Sequence, residues 1–194
     1  NSNWTRLTLD PDFKVKRSVF DIANWASKDK SNPIYKQANT LWTGMTRRKY
    51  VCYNAESKIK AVKQIIDLYP ERKWIVFCQT IASADRIAKE LGDIALLYHS
   101  KAEVPDLSTF GDKLRVIVSV KGLIAGLNIP SLNSAIAVSY DSVAGNFDQS
   151  AGRICRFIEG KQGLYVNLVV PATQEEKWLE NRTKNYETRT VNSV

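Results

Sequence analysis

The chain of 194 residues is 44% hydrophobic and 25% charged, which is typical of an ordinary globular protein and excludes a disordered one. No run approaches the ~18 apolar residues that a membrane helix needs, and the first residues lack the apolar segment of a secretory signal. We therefore expect an intracellular protein, in the cytoplasm, nucleoid or nucleus, with no membrane partner. The net charge of +8 favours a polyanionic partner such as nucleic acid.

Cysteine and histidine are too few for most metal sites. Cys52, Cys78 and Cys155 have no C-x-x-C spacing, and His99 is the only histidine. This pattern argues against a zinc site, a disulfide framework and a histidine-based catalytic triad. The sequence therefore assigns no metal ligand to this chain.

The N-terminal quarter carries only weak helical and strand patterns. Residues 17–27 predict a helix, residues 29–33 (D-K-S-N-P) predict a loop, and residues 46–50 (T-R-R-K-Y) form a basic cluster. The cluster is either an ordinary solvated surface or a source of nonspecific affinity for phosphates. We interpret residues 1–53 as a linker or a peripheral extension.

From residue 54 onward, helical and strand patterns alternate. Helices are predicted over 56–69, 81–91 and 173–186, with a short one at 105–111. Strands are predicted over 74–78, 94–98, 114–120, 135–139 and 163–170. The strands read as continuous apolar runs, which is typical of a parallel sheet that is buried on both faces. The expected fold is α/β, with a mostly parallel sheet of five or more strands and helices on both faces.

In an open parallel sheet, ligands bind in the loops beyond the carboxyl ends of the strands. Here those loops begin at Gln79, His99, Lys121 and Tyr140. The chain has no G-x-x-x-x-G-K-[ST] segment, so it lacks the loop that holds nucleotide phosphates with backbone amides and a lysine. The sequence therefore shows no complete catalytic site within this chain alone.

Four segments occur in an order that is known from one family. They are N-x-x-x-K at 54–58, W-I-V-F-C-Q-T at 74–80, V-I-V-S-V-K-G-L-I-A-G-L-N-I-P at 116–130 and Q-S-A-G-R-I-C-R at 149–156. Over residues 54–170 the chain resembles the second RecA-like lobe of superfamily 2 helicases and translocases, and it is most similar to DNA-translocating and branch-migrating members. The resemblance implies a RecA-like domain with a C-terminal helix over 54–194.

The resemblance assigns the last of these segments to ATP. In the family, the first lobe holds the phosphates and Mg²⁺, and the second lobe presents arginines across the cleft. Arg156 is implied to be the arginine finger, Arg153 a contact to the γ-phosphate, and Gln149 a group near the phosphate or the attacking water. A planar, permanently charged guanidinium suits phosphate oxygens, and Gly152 lets the backbone approach closely. The alternative is two exposed arginines on an ordinary helix.

The glycine-containing loop after the third strand is implied to serve two ligands. Ser119, Lys121 and Gly122 are implied to contact phosphates of a nucleic-acid strand, and Gly126 and Asn128 to face the nucleotide. Asn128 stands where most relatives carry an aspartate near the ribose, so this chain brings no charge there. The alternative is a simple strand-to-helix loop with a lysine that faces solvent.

Two further loops are implied to touch the sugar-phosphate backbone. Gln79 and Thr80 follow the first strand of the core, and Ser100 and Lys101 follow the second. Thr80 or Ser83 can equally well cap the next helix, and the two roles are compatible.

The sequence thus leads to one hypothesis and two alternatives. The chain is predicted to be the second lobe of an ATP-dependent helicase or translocase, inactive alone because the lobe that mainly holds ATP and Mg²⁺ is missing. Its predicted partners are DNA, with RNA as the other possibility, and the first RecA-like lobe of the same protein. DNA repair and recombination are the implied processes. The alternatives are a non-catalytic nucleic-acid-binding module and a single lobe that a separate ATPase completes.

Overall fold

The structure is a computed structural model that describes residues 19–102, 110–111, 113–120, 129, 132–140 and 163–191, without the side chains of Val19, Phe20 and Ile22. By its internal contacts, the chain divides into two compact units, residues 1–51 and residues 52–194. The functions assigned to residues 1–53 and 54–194 stay predictions.

The described N-terminal part begins with two helices. Helix α1 spans Val19–Ala26, close to the predicted helix, and helix α2 spans Tyr35–Tyr53, which the sequence patterns did not indicate. Between them lies the predicted loop, where Asp29 Oδ1 accepts hydrogen bonds from the backbone N–H and the hydroxyl of Ser31 at 2.9 and 2.7 Å. The basic cluster at 46–50 therefore lies within a helix.

The second unit alternates helices and strands around one sheet. Its helices are α3 (Glu56–Leu68), α4 (Ile81–Leu91) and α5 (Gln174–Thr183), and its strands are β1 (Trp74–Cys78), β2 (Ala95–Tyr98), β3 (Val116–Val120), β4 (Ser134–Ala137) and β5 (Leu164–Asn167). All neighbouring strands pair in parallel, in the order β2-β3-β1-β4-β5. The predicted α/β fold with a five-stranded parallel sheet is confirmed.

The main hydrophobic core lies between the sheet and helices α3 and α4. Helix α3 buries a stripe of apolar residues at helical spacing, namely Ile59, Val62, Ile65 and Ile66. They pack with Trp74, Val76 and Cys78 of β1 and with Ile87 and Leu91 of α4. The opposite face of the sheet carries Ile75, Ile117 and Ala135, which are also fully buried. The central strands are thus buried on both faces, as their continuous apolar runs predicted.

Several elements are shorter than the sequence predicted. Strand β4 pairs only over Ser134–Ala137. Strand β5 is the edge strand beside β4, so it is limited to the four residues that pair with β4. Residues 92–94 form a 3₁₀ turn before β2. Of the predicted helix at 105–111, residues 103–109 lie outside the described residues. Phe110 is not helical but forms an isolated parallel bridge with Leu114.

A buried ion pair joins helix α3 to helix α5. Lys58 Nζ donates to Glu175 Oε1 at 2.7 Å and to the backbone carbonyl of Val138, just after β4, also at 2.7 Å. The Lys58 and Glu175 side chains are 3% and 1% exposed. Glu175 Oε2 accepts from the backbone N–H of Val170 at 2.9 Å. Four segments of the chain therefore meet at one pair of opposite charges.

The contribution of this ion pair to stability depends on both charges being present. Burial lowers the pKa of Lys58 because it disfavours the charged ammonium, and the negative charge of Glu175 opposes that shift. Two paired charges that are fully hydrogen-bonded are tolerated in a protein interior, whereas a single buried charge is strongly destabilising.

Replacing Lys58 with alanine is expected to lower the free energy of unfolding by about 3–5 kcal/mol, because the Glu175 carboxylate keeps its buried position without its cation. Urea denaturation of the wild-type and variant chains measures this loss. The double variant Lys58→Met with Glu175→Leu removes both charges and should recover most of the stability. A Lys58→Ala chain within 1 kcal/mol of the wild type would contradict the role given to the pair.

Candidate functional site at the carboxyl edge of the sheet

Five of the predicted nucleic-acid contacts come together at one edge of the sheet. Gln79 and Thr80 follow β1, Ser100 and Lys101 follow β2, and Ser119 is the penultimate residue of β3. Strands β2, β3 and β1 are adjacent and parallel, so their carboxyl ends lie side by side. The fold thus places the ends of three strands from distant parts of the sequence next to one another.

Thr80 forms the N-cap of helix α4. Its Oγ1 accepts a hydrogen bond from the backbone N–H of Ser83 at 3.1 Å and donates to Asn54 Oδ1 at 2.8 Å. The predicted capping role is confirmed. The second bond ties the start of α4 to the segment before α3, so the first residue of the N-x-x-x-K motif has a structural role at this edge.

Gln79 is held through its backbone while its side chain is half-buried. Its N–H donates to Ser139 Oγ at 2.9 Å, and the backbone N–H of Val138 donates to Phe77 O at 3.0 Å. These two bonds continue the contact between β1 and β4 past the ends of both strands. The position of Gln79 is therefore fixed by a hydrogen bond of its backbone rather than by its side-chain amide, as far as the described residues show.

The loop after β2 is organised by a buried histidine. His99 Nδ1 accepts from the backbone N–H of Lys101 at 3.1 Å, and His99 Nε2 lies 2.9 Å from Asp85 Oδ1 on α4. Because Nδ1 is an acceptor, the ring proton of the neutral histidine lies on Nε2 and is donated to the carboxylate. Ser100 and Lys101 are exposed on this fixed loop.

Ser119 differs from the other four residues because it is fully buried. It pairs in register with Phe77 on one side and Tyr98 on the other. Its Oγ has no hydrogen-bond partner among the residues that the structure describes. A buried hydroxyl without a partner is uncommon, and here it lies two residues before the loop that is predicted to bind phosphates.

The other half of the edge, beside β4, contains a cation–aromatic contact that the sequence patterns did not indicate. The Arg182 guanidinium of α5 lies 4.5 Å from the centre of the Tyr140 ring. Burial raises the pKa of the Tyr140 hydroxyl, and the Glu175 charge adds to that rise. Tyr53 Oη donates to the Tyr140 carbonyl at 3.0 Å. Tyr140 lies three residues after the end of β4, and no local pattern could have linked it to Arg182.

The residues predicted to face ATP lie outside the described residues, and so does the rest of the loop after β3 that is predicted to bind phosphates. They are Gln149, Gly152, Arg153, Arg156, Gly126, Asn128, Lys121 and Gly122. Within the described ranges, no group of three or more His, Cys, Asp or Glu side chains could hold a metal ion. In the same ranges, no helix has the length and apolar character needed to cross a bilayer.

A family model and one curated relative match this chain. The model of the helicase conserved C-terminal domain matches residues 57–158. The relative is the DNA 3'-5' translocase XPB2 of Sulfurisphaera tokodaii, which is 27% identical over 135 residues. That alignment includes 68% of this chain but only 30% of the relative, so the chain spans about a third of the relative's length.

Solved structures share the fold at low sequence identity. The C-terminal part of the Fun30 ATPase domain has a TM-score of 0.55 at 16% identity, over 84% of this chain and 64% of that one. The Escherichia coli (E. coli) DEAD-box protein SrmB, bound to RraA, has a TM-score of 0.55 at 17% identity, over 71% and 85%. Domain 2 of the Mss116p DEAD-box helicase, bound to an RNA duplex, has a TM-score of 0.52 at 17% identity, over 66% and 53%. These likenesses confirm the RecA-like α/β fold.

The variant Thr80→Val is expected to lose about 1 kcal/mol of stability, because it keeps the shape of the side chain but removes the oxygen that caps α4. Urea denaturation measures the loss, and Thr80→Ser, which keeps the hydroxyl, is the matched control. If both variants unfold at the same urea concentration, the cap contributes nothing and the hydrogen bonds at this position are incidental.

Proposed function

We propose that this chain, which belongs to the helicase conserved C-terminal domain family and is the second RecA-like lobe of a superfamily 2 helicase or translocase, is half of an ATP-driven motor on nucleic acid. The observation that carries this proposal is the meeting of Gln79, Thr80, Ser100 and Lys101 at one sheet edge. In this proposal residues 54–194 form the motor lobe, and residues 1–53 are the linker between the lobes or a peripheral extension.

The edge has the chemistry that a nucleic-acid backbone requires. Lys101 offers an exposed ammonium, Ser100 an exposed hydroxyl and Gln79 a side-chain amide, and all three can contact phosphate oxygens. The first turn of α4 lies at the same edge, and the N-terminus of a helix favours an anion. None of these groups is placed to select a base by pairing pattern, so we propose binding that is independent of sequence.

A rigid edge is useful in a motor because the residues that hold the strand must move together with the lobe. The His99–Asp85 contact joins the loop after β2 to α4, and the Thr80–Asn54 bond joins α4 to the segment before α3. A shift of the lobe is therefore transmitted to the bound strand through hydrogen bonds rather than through flexible side chains alone.

The proposed ATP site is composite. The described residues have no cluster able to hold Mg²⁺, and the chain has no phosphate-binding loop of the G-x-x-x-x-G-K-[ST] type, so ATP and Mg²⁺ would be held mainly by the first lobe. From this chain, Arg156 and Arg153 would supply guanidinium groups to the phosphate oxygens, and Gln149 an amide. Hydrolysis of ATP held there would supply the free energy for the relative movement of the two lobes.

DNA is the proposed substrate, and RNA is the second candidate. The curated relative XPB2 is by name a DNA translocase, at 27% identity, whereas the RNA-bound neighbour shares 17%. A role in DNA repair or recombination is proposed on the same ground. A non-catalytic binding module would have no need of Gln149, Arg153 and Arg156, which all lie within the family match.

The variant Lys101→Gln is expected to weaken the binding of single-stranded DNA equally for unrelated sequences, because it removes one phosphate contact. The slope of log affinity against log salt should become less negative by ~0.7. Fluorescence anisotropy over a range of salt concentrations measures both effects. Lys89→Gln, an exposed lysine in the last turn of α4, is the matched control. Equal binding by both variants would remove Lys101 from the interface.

In a protein that contains both lobes, Arg156→Ala is expected to lower the rate of ATP hydrolysis by ~10³–10⁵-fold while nucleotide binding largely survives. Arg156→Lys keeps the charge but loses the planar, bidentate geometry, so it should also fail to restore the rate. Steady-state hydrolysis and the binding of a fluorescent ATP analogue separate the two effects, with Arg189→Ala as control. An unchanged rate for Arg156→Ala would exclude it as the arginine finger.

A further inference from the structure

Helix α2 is strongly basic, and it lies outside the residues matched by the helicase family. It spans Tyr35–Tyr53 and contains Lys36, Arg47, Arg48 and Lys49 but no acidic residue. The acid-free stretch extends further, because no Asp or Glu occurs between Asp29 and Glu56. An excess of one charge along a helix is self-repelling, so a helix that keeps it is suited to a partner of opposite charge.

Five polar side chains of α2 lie along one side of the helix. Lys36, Thr40, Thr43, Arg47 and Tyr50 follow one another at alternating intervals of four and three residues, which places them in a line along the helix. Lys36, Thr40 and Arg47 are exposed, and 49% of Tyr50 is accessible. Arg48 is also exposed, on the flank of this line, about 100° around the helix from Arg47. From Lys36 to Arg47 the face extends roughly 16 Å, at ~1.5 Å per residue.

The basic residues of α2 differ from those of the second unit in their surroundings. In the second unit, Lys63 pairs with Asp67 at 3.5 Å, and Arg86 pairs with Glu56. Among the residues that the structure describes, Lys36, Arg47 and Arg48 have no carboxylate within 4.0 Å. Their positive charges are therefore not neutralised by acidic side chains of the described chain.

We propose that this face of α2 is a second nucleic-acid-binding site, which holds a sugar-phosphate backbone. Lys36, Arg47 and Arg48 would contact phosphates, and Tyr50 offers a ring on which a base can stack. At the N-terminal half of the helix, Lys36 and Thr40 line an open depression of about 480 Å³ together with Gln37 and Leu41. The site does not depend on the carboxyl edge of the sheet, and it extends the grip beyond the motor lobe.

The test compares two variants that lose the same charge. The first is Lys36→Gln with Arg47→Gln and Arg48→Gln, and the control is Lys60→Gln with Lys89→Gln and Lys177→Gln, three exposed lysines of the second unit. Glutamine has a helix propensity close to those of lysine and arginine, so both chains should stay folded. Urea denaturation checks this, and Arg47→Gln with Arg48→Gln is the milder form if the triple variant unfolds.

The probe is a fluorescent 30-nucleotide oligothymidylate, titrated by anisotropy between 50 and 200 mM salt. The triple variant of α2 should bind at least tenfold more weakly at 50 mM salt, and its salt slope should be less negative by about 2, which corresponds to three lost phosphate contacts at ~0.7 each. The control variant should keep a slope within about 0.5 of the wild type. Tyr50→Ala should weaken binding several-fold without changing the slope, because stacking releases no counterions.

The outcomes separate this site from the carboxyl edge. If Lys101→Gln weakens binding and the α2 variant does not, the second site is wrong and the proposed motor function stands. If the α2 variant weakens binding and Lys101→Gln does not, the second site is supported and the proposed contact of Lys101 at the carboxyl edge is wrong. If wild-type protein prefers polyglutamate to the oligonucleotide, and the α2 variant loses that preference, the face binds an acidic protein and the nucleic-acid proposal is overturned.

Discussion

The carboxyl edge of the sheet depends on the buried ion pair between Lys58 and Glu175. The pair fixes the C-terminal helix α5 to helix α3, and the second hydrogen bond of Lys58 fixes the carbonyl of Val138 where β4 ends. Hydrogen bonds then continue across the edge, since Val138 and Ser139 hold the end of β1 at Phe77 and Gln79. Either charge would be strongly destabilising if it were buried without its partner. As a pair, the two charges anchor the hydrogen bonds that run along the edge.

This construction explains how the described part of the edge could hold a nucleic-acid backbone without reading bases. Hydrogen bonds of backbone groups hold the ends of these strands in place, while Ser100 and Lys101 stay exposed at the rim. In the proposed motor, the two lobes close when ATP binds between them. The whole second lobe then moves as one body, and its rigid edge moves the bound strand with it. A basic face on α2 would add affinity for phosphates without any preference for a base sequence. A translocating protein needs such binding, because it must hold every sequence that it moves along.

The sequence predicted the parts of the fold that local patterns encode. The run W-I-V-F-C indicated a buried strand, and the stripe from Ile59 to Ile66 indicated an amphipathic helix, because burial imposes those periodicities. Helix α2 was missed because its buried side includes the small residue Ala38 and few strongly apolar ones. The Lys58–Glu175 and His99–Asp85 contacts join residues 117 and 14 positions apart, and such partners are decided by tertiary packing rather than by local sequence. Family resemblance, not periodicity, led to Gln79, Lys101 and Arg156.

The most direct measurement is the rate of ATP hydrolysis, with and without single-stranded DNA. It should compare this 194-residue chain with a form that carries its natural upstream sequence. The account predicts no appreciable turnover by the chain alone and DNA-stimulated turnover by the longer form, because only the longer form has both halves of the ATP site. Robust hydrolysis by the pure 194-residue chain, or none by either form, would contradict the claim that this lobe completes a composite motor.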